Sequence, residues 1–427
     1  MRTLLILLLS VPLVLCGHLP KKYLLDSYLN NPVVKNFMEY VRIDTSKEEN
    51  LELAVDFWKR KAQELELDFN VYYPGGLPIC VLSWYGTEPS LPSIMLNSHM
   101  DVVLVEEEDW TYPPFSAHMD ENGDIFGRGT QDDKDVGIMY IEAIREMKKN
   151  GIKLKRTFHM TLMPDEERGS RRGMVKFIET KEFKDMNIGF ALDEGPVSPG
   201  DNIEIMYQDK RPWQMKFTTR GPSGHGSSIL ASTAMEKLFK LIGVIGTYRD
   251  EQKAIMRASD PLDFGAYTSV NVNYVRGGAV PNVIPGRVEL IVDTRLAVST
   301  DVTEMSNRVS SWLQEAGNDT SVEFVRKILV SKATKIDDSN PYWVIMRDAV
   351  QELGIQIDPI VCPATTDMIN IRQLGIPALG FAFKPRTEIR YHAANEYLNV
   401  DNLLHGVTVY VAVLSRLGNM SDVAYVQ

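Results

Sequence analysis

Asn97-Ser98-His99-Met100-Asp101 and, further on, Gly127-Arg128-Gly129-Thr130-Gln131-Asp132 decide how this chain is read. The apolar run Ile94-Met95-Leu96 delivers His99 to the C-terminal end of a buried strand, where open α/β sheets place their ligands. His99 and Asp101 are two apart, so an extended segment turns both to one face, and an imidazole that binds metal through one nitrogen can donate the other N–H to a carboxylate. After the turn that Gly127 and Gly129 permit, Asp132 precedes a helical pattern in which Val136, Met139, Ala143, Ile144 and Met147 share a face and Asn150-Gly151 is the stop. Two more strand-like runs end in acid. Run 157–163 leads into Pro164-Asp165-Glu166-Glu167, and run 188–192 into Asp193-Glu194-Gly195. Three runs thus finish in His or carboxylate groups, which either solubilise the strand ends or converge as hard donors for a metal ion.

Working outward, helices are predicted over 31–40 and 51–65, the second with Leu51, Ala54, Val55, Trp58, Ala62 and Leu65 as its apolar stripe. Strands follow at 69–73 and 79–84, and the alternation up to Leu192 argues an α/β sheet layered by helices. Near residue 208 the texture changes, and the order becomes strand 213–220, helix 232–248, strands 268–275 and 287–295, helix 302–316, strand 321–326. This β-α-β-β-α-β order is the split unit of ferredoxin-like domains. A helix at 342–353, the run 376–381 and a last helix over 401–417 resume the first texture, so the catalytic domain is predicted to be discontinuous, with parts at 18–207 and 329–427 around an insert at 208–328.

The 427 residues, 44% of them hydrophobic, suffice for a large core in two or more domains. A formal charge of −11 argues against a nucleic-acid partner, which needs clustered Lys and Arg. Met1-Arg2 and the apolar run 4–16, broken only by Ser10 and Pro12, have the form of a cleaved signal peptide spanning 1–17, with an uncleaved anchor as the alternative. The run is shorter than the ~20 residues of a membrane span, and a secreted or lumenal chain without stable membrane insertion is expected. Cys80 and Cys362 would remain, free or bridged, with sequons at Asn318 and Asn419.

The motifs Asn-Ser-His-Met-Asp-Val-Val, Gly-Arg-Gly-Thr-Gln-Asp, Pro-Asp-Glu-Glu and Ala-Leu-Asp-Glu-Gly together resemble the di-zinc aminoacylase-1 group of the M20 metallopeptidases. The resemblance continues through Gly224-His225-Gly226, the segment 277–285, Pro363-Ala364-Thr365-Thr366-Asp367 and His392-Ala393-Ala394-Asn395-Glu396, and so covers nearly the whole chain after its first few tens of residues. It implies a zinc-peptidase-like α/β catalytic domain, its central sheet flanked by helices and interrupted by a ferredoxin-like dimerisation or lid domain.

It also implies two zinc ions per subunit, one on His99 and Glu194, the other on Glu167 and His392, bridged by Asp132. Glu166 would be the general base, taking a proton during attack on the amide and passing it to the leaving amine. Asp101 would orient His99. The bond Asp132-Asp133 corresponds to a cis peptide in the family; relatives usually carry Met where Asp133 stands, and Asp133 is placed to cap the following helix without adding a third metal. His225 would donate to the oxyanion, in many relatives at the other subunit's site of a homodimer, while Asn282 and Arg295 would bind the substrate and its free carboxylate. The implied activity is cleavage of N-acyl-L-amino acids, N-fatty-acyl ones included. A metallocarboxypeptidase or dipeptidase is the alternative within the family. A noncatalytic binding homologue is the alternative outside it, and the intact set His99, Asp132, Glu166, Glu167, Glu194 and His392 counts against it.

Overall fold

The strand that carries His99, Ser93–His99, is buried at every residue, because it lies inside an eight-stranded sheet. Along that sheet the order is Asp68–Tyr72, Ile79–Trp84, Phe158–Met163, Ser93–His99, Ile188–Asp193, Ala378–Phe381, Ile203–Asp209, Ile357–Cys362. The four strands from Phe158–Met163 to Ala378–Phe381 run parallel, so their C-terminal ends open on one edge. Continuous apolar runs suit such strands, since both faces are covered. Ile94 and Leu96 join the larger core, with the helices Leu51–Glu64, Lys134–Lys149 and Val400–Leu417, whereas Met95 between them packs with Met174, Phe177 and Met368 on the opposite face. The structure, a computed structural model, describes residues 21–421, so the expected signal peptide lies outside them.

A second sheet is antiparallel, in the order Ser269–Gly277, Arg287–Leu296, Arg211–Arg220, Thr320–Lys327. With the helices Ala234–Ala258 and Val302–Ala316 it closes a core of its own around Trp213, Phe217, Leu241 and Trp312. The mixed α/β sheet flanked by helices and the split βαββαβ order are as the sequence predicts.

Two departures have physical reasons. The helix expected over 232–248 runs from Ala234 to Ala258: a Thr233/Glu236 capping box fixes its start, and nothing stops it before Ser259-Asp260-Pro261. Strands Ile203–Asp209 and Ile357–Cys362 were not anticipated, and Pro359 argues against the latter; it is tolerated because this strand is the sheet's edge. Cys80 and Cys362 are both buried and free, standing on the second and the last strand of the order, several strand spacings apart.

The sequon residues Asn318 and Asn419 are exposed. Among the described residues no helix is long and apolar enough to cross a membrane.

Candidate metal centre

The parallel strands bring their acidic and His-bearing ends together. His99 ends its strand with Nδ1 2.8 Å from the Asp101 carbonyl, which accepts the Nδ1 proton and leaves Nε2 facing Asp132 Oδ1 at 2.9 Å and Glu194 Oε2 at 3.9 Å. On the other side of Asp132, His392 Nε2 lies 3.2 Å from Oδ2 and 3.0 Å from Glu167 Oε2. Two donor groups result, His99 with Asp132 and Glu194, and Asp132 with Glu167 and His392, and Asp132 belongs to both. All five residues named from the sequence as ligands are therefore neighbours. His99 is buried, whereas the His392 side chain is 53% exposed.

The donor set fits metal. Burial raises the pKa of Glu194 well above its ordinary value, and the fields of Glu166 and Asp132 add to the rise. Burial likewise raises Glu167, whose Oε1 is buried without a hydrogen-bond partner among the described residues. Carboxylates pressed together out of water need a cation to remain charged. Burial works against the His99 cation, but the Asp132 hydrogen bond and the fields of Glu194 and Asp132 outweigh it and raise this imidazole. The hydrogen bonds to Asp132 and Glu167 push His392 up to about 10. Metal binding would release these protons, since imidazole ligates only when neutral.

Glu166 opens the single turn Glu166–Arg168 beside Glu167 and belongs to neither donor group. Burial raises it well above the usual carboxylate range; His99 opposes the rise, and Asp367 and Glu167 add to it. Such a carboxyl can hold a proton near neutral pH.

Asp101 meets His99 through its backbone more closely than through its side chain. Its carbonyl, not its carboxylate, takes the short contact with His99; Oδ1 is 3.7 Å from Nδ1. The carboxylate instead accepts the backbone N–H of Glu166 at 3.1 Å and of Glu167 at 3.2 Å. The bond Asp132-Asp133 is cis, as the resemblance implies. Asp133 occupies the N-cap position of Lys134–Lys149 but makes no capping bond, and both its carboxylate oxygens are buried without a partner among the described residues.

The remaining candidates lie on the inserted sheet. His225 is exposed and bonds Ser227 Oγ at 2.7 Å; its strand Gly224–His225 pairs with Val283–Ile284, and Gly226 N–H donates to the Asn282 carbonyl at 2.7 Å, so His225 and Asn282 share one corner. Neither belongs to the donor groups. Arg295 pairs with Asp293 at 3.0 Å and donates to Thr365 Oγ1 at 3.1 Å, which ties the inserted sheet to the segment 363–367.

Sequence reading missed the residues that hold the two ligand-bearing loops together. Glu396 accepts the Gln131 N–H at 2.6 Å and Arg128 Nη1 at 2.6 Å. Gln131 Nε2 donates to the carbonyls of Glu388 and Tyr397, and Lys384 Nζ donates to the Gln131 carbonyl at 2.6 Å. These bonds join the turn before Asp132 to the loop carrying His392. The signal was present in His-Ala-Ala-Asn-Glu, whose last residue is buried. Beneath the ligands, Asn97 Nδ2 donates to Asp193 at 2.8 Å and Asp367 at 3.2 Å, fixing the residue before Glu194.

A family model described as peptidase family M20/M25/M40 matches residues 95–416. Mouse aminoacylase-1 is 39% identical over 397 residues, covering 92% of this chain and 97% of that protein. Aminoacylase-1 of Dictyostelium discoideum is 35% identical over 410 residues, covering 93% of this chain and 100% of the relative. Among solved structures, an M20 family metallo-carboxypeptidase from Sulfolobus solfataricus shares the fold at a TM-score of 0.75 and 17% identity, covering 90% of this chain and 99% of that one. With three quarters of its length matched by the family model and aminoacylase-1 relatives at 35–39% identity over nearly the full chain, the chain belongs to peptidase family M20/M25/M40, in its aminoacylase-1 group.

Proposed function

We propose that this protein is a zinc-dependent aminoacylase that cleaves N-acyl-L-amino acids into a carboxylic acid and a free amino acid. The observation that carries the reading is the pair of donor groups sharing Asp132, in a chain whose relatives at 35–39% identity are aminoacylase-1 proteins. His99, Asp132 and Glu194 would hold one zinc, and Asp132, Glu167 and His392 the other. When bound, such a pair supplies Lewis acidity that makes water a better nucleophile and polarises the amide carbonyl.

The chain's own residues do the rest. Glu166, which belongs to neither donor group, takes the proton of the attacking water and delivers it to the leaving nitrogen. Asp101 keeps Glu166 and Glu167 in register through their N–H groups. Arg295 receives the free carboxylate of the amino acid, and Asn282 and His225 close over the substrate in a homodimer in which the second copy supplies His225 as oxyanion donor. The mature chain begins near His18 and is exported, a proposal that a retained Met1 in N-terminal sequencing of the native protein would exclude.

Purified zinc-loaded protein assayed against N-acetyl-L-methionine, longer N-acyl homologues and dipeptides tests the central reading. Turnover of the N-acyl amino acids ahead of the dipeptides is expected. Dipeptides hydrolysed faster would make the protein a dipeptidase, and inactivity on all of them despite a full metal complement would make it a binding homologue.

A further inference from the structure

Between the inserted sheet and the turn that follows Glu167 lies a cavity of about 410 Å³, a volume in the range of small-ligand sites. Gly169 and Arg171 line it from the turn, Arg326 and Leu329 from the end of the sheet, and Asn370 and Gln373 from the helix Met368–Gln373. The Arg326 guanidinium lies flat against the turn: a Cβ on Gly169, itself at φ +86°, would come within 2.9 Å of Nη1.

Two donors in this cavity lack acceptors. Arg326 makes no ion pair or hydrogen bond with any described residue through its side chain. Burial lowers its pKa, while the field of Glu166 raises it and those of Arg295 and Arg171 lower it, which places the group between the candidate base and two other guanidinia. Asn370 is only 8% exposed, and its Nδ2 has no partner among the described residues. A desolvated guanidinium and a buried amide N–H with nothing to donate to are both unfavourable, and an anion seated between them relieves both.

Arg326 and Arg295 stand on strands of one sheet that are two spacings or roughly 10 Å apart; on the strand between them Arg295 faces Pro212 and Arg326 faces Gln214, a stagger of two residues. Long side chains converging from such positions suit a ligand with two separated negative charges. We propose that Arg326 and Asn370 form a recognition site for a second carboxylate, remote from the scissile amide, so that dianionic N-acyl amino acids are preferred substrates. This rests on the amidohydrolase reading and on Arg295 taking the α-carboxylate. The second carboxylate comes either from an acidic amino-acid side chain or from the far end of a dicarboxylic acyl group.

Two isosteric pairs test the proposal on the zinc-loaded protein: N-acetyl-L-glutamate against N-acetyl-L-glutamine, and succinyl-L-methionine against succinamoyl-L-methionine. In one pair the acid is expected to exceed the amide in kcat/KM by about tenfold to a hundredfold, the range for a hydrogen bond to a charged group, and that pair identifies the source of the carboxylate. Arg326→Gln should abolish the ratio, mainly through KM, and Asn370→Leu on the opposite wall should reduce it, which keeps the test open if one variant fails to fold. A ratio near one in both pairs overturns the proposal, as does a ratio that survives Arg326→Gln. Equal loss on acid and amide in Arg326→Gln also overturns it, because that is the signature of a field acting on Glu166. Failure of the underlying reading looks different: the wild type would turn over none of the four compounds.

Discussion

Asp101 holds Glu166 by its backbone: the aspartate carboxylate accepts the Glu166 N–H at 3.1 Å, and its other oxygen accepts that of Glu167 at 3.2 Å. One buried side chain thus sets the candidate base and a candidate ligand at once. Asp101→Ala is expected to lower kcat by about a hundredfold, the cost of roughly an ångström of misplacement, with a smaller change in KM. Steady-state kinetics beside circular dichroism checks this, and a folded variant with wild-type kcat would show that the turn holds itself.

Glu166→Ala separates proton transfer from ligation. Activity should fall by at least about a hundredfold while zinc content by atomic emission stays at the wild-type level. Loss of zinc together with activity would place Glu166 in the coordination shell.

Asp132 belongs to both donor groups and His392 to one, so their substitutions should differ in stoichiometry. His392→Ala is expected to retain one zinc per chain and Asp132→Ala to bind both weakly, as read by equilibrium dialysis. Chelation of the wild type should lower its thermal midpoint, since a ligand at about 1,000 times its dissociation constant stabilises the folded state by about 4 kcal/mol.

His159 gives a pH dependence independent of the metal site. Its Nδ1 is 2.8 Å from Ser83 Oγ, and burial pulls its pKa down to about 4 from 6.5. Between those values the unfolded chain binds a proton that the folded chain refuses, so stability is full above pH 6.5 and falls as pH drops towards 4. The loss amounts to about 3 kcal/mol at its full extent. Urea unfolding at stepped pH should show this slope, and His159→Gln should flatten it; an unchanged slope would assign the acid sensitivity to other groups.

The shared-site dimer predicts complementation. His225→Ala and Glu166→Ala proteins, each nearly inactive, should regain roughly a quarter of wild-type activity when mixed and allowed to exchange subunits, because about half the dimers are mixed and each carries one intact site. Verified exchange without recovery would confine His225 to its own chain.

Much of this was legible in the sequence. The strands leading to His99, Glu167 and Glu194 are rich in apolar residues, because both their faces are covered, and the clustered His and acidic groups at their ends are conspicuous for that reason. The split order of the inserted sheet was readable because its helices and strands keep clean periods. The identity of the five donors and of Glu166 came through the family resemblance of whole motifs; a single His or Asp carries no such information.

Other features depended on residues far apart in sequence. That the Asp101 carboxylate clasps the Glu166 turn depends on how the parallel strands Ser93–His99 and Phe158–Met163 are aligned, which no local pattern encodes. The Glu396 and Gln131 bonds span some 265 residues, and the same distance separated Glu396 from any role when only its motif was visible. Arg326 reads in sequence as an ordinary charge on an alternating strand. Packing of the inserted sheet against the Gly169 turn decides that it is desolvated and has no side-chain partner among the described residues, since burial is a property of what the fold brings alongside and not of the residue itself.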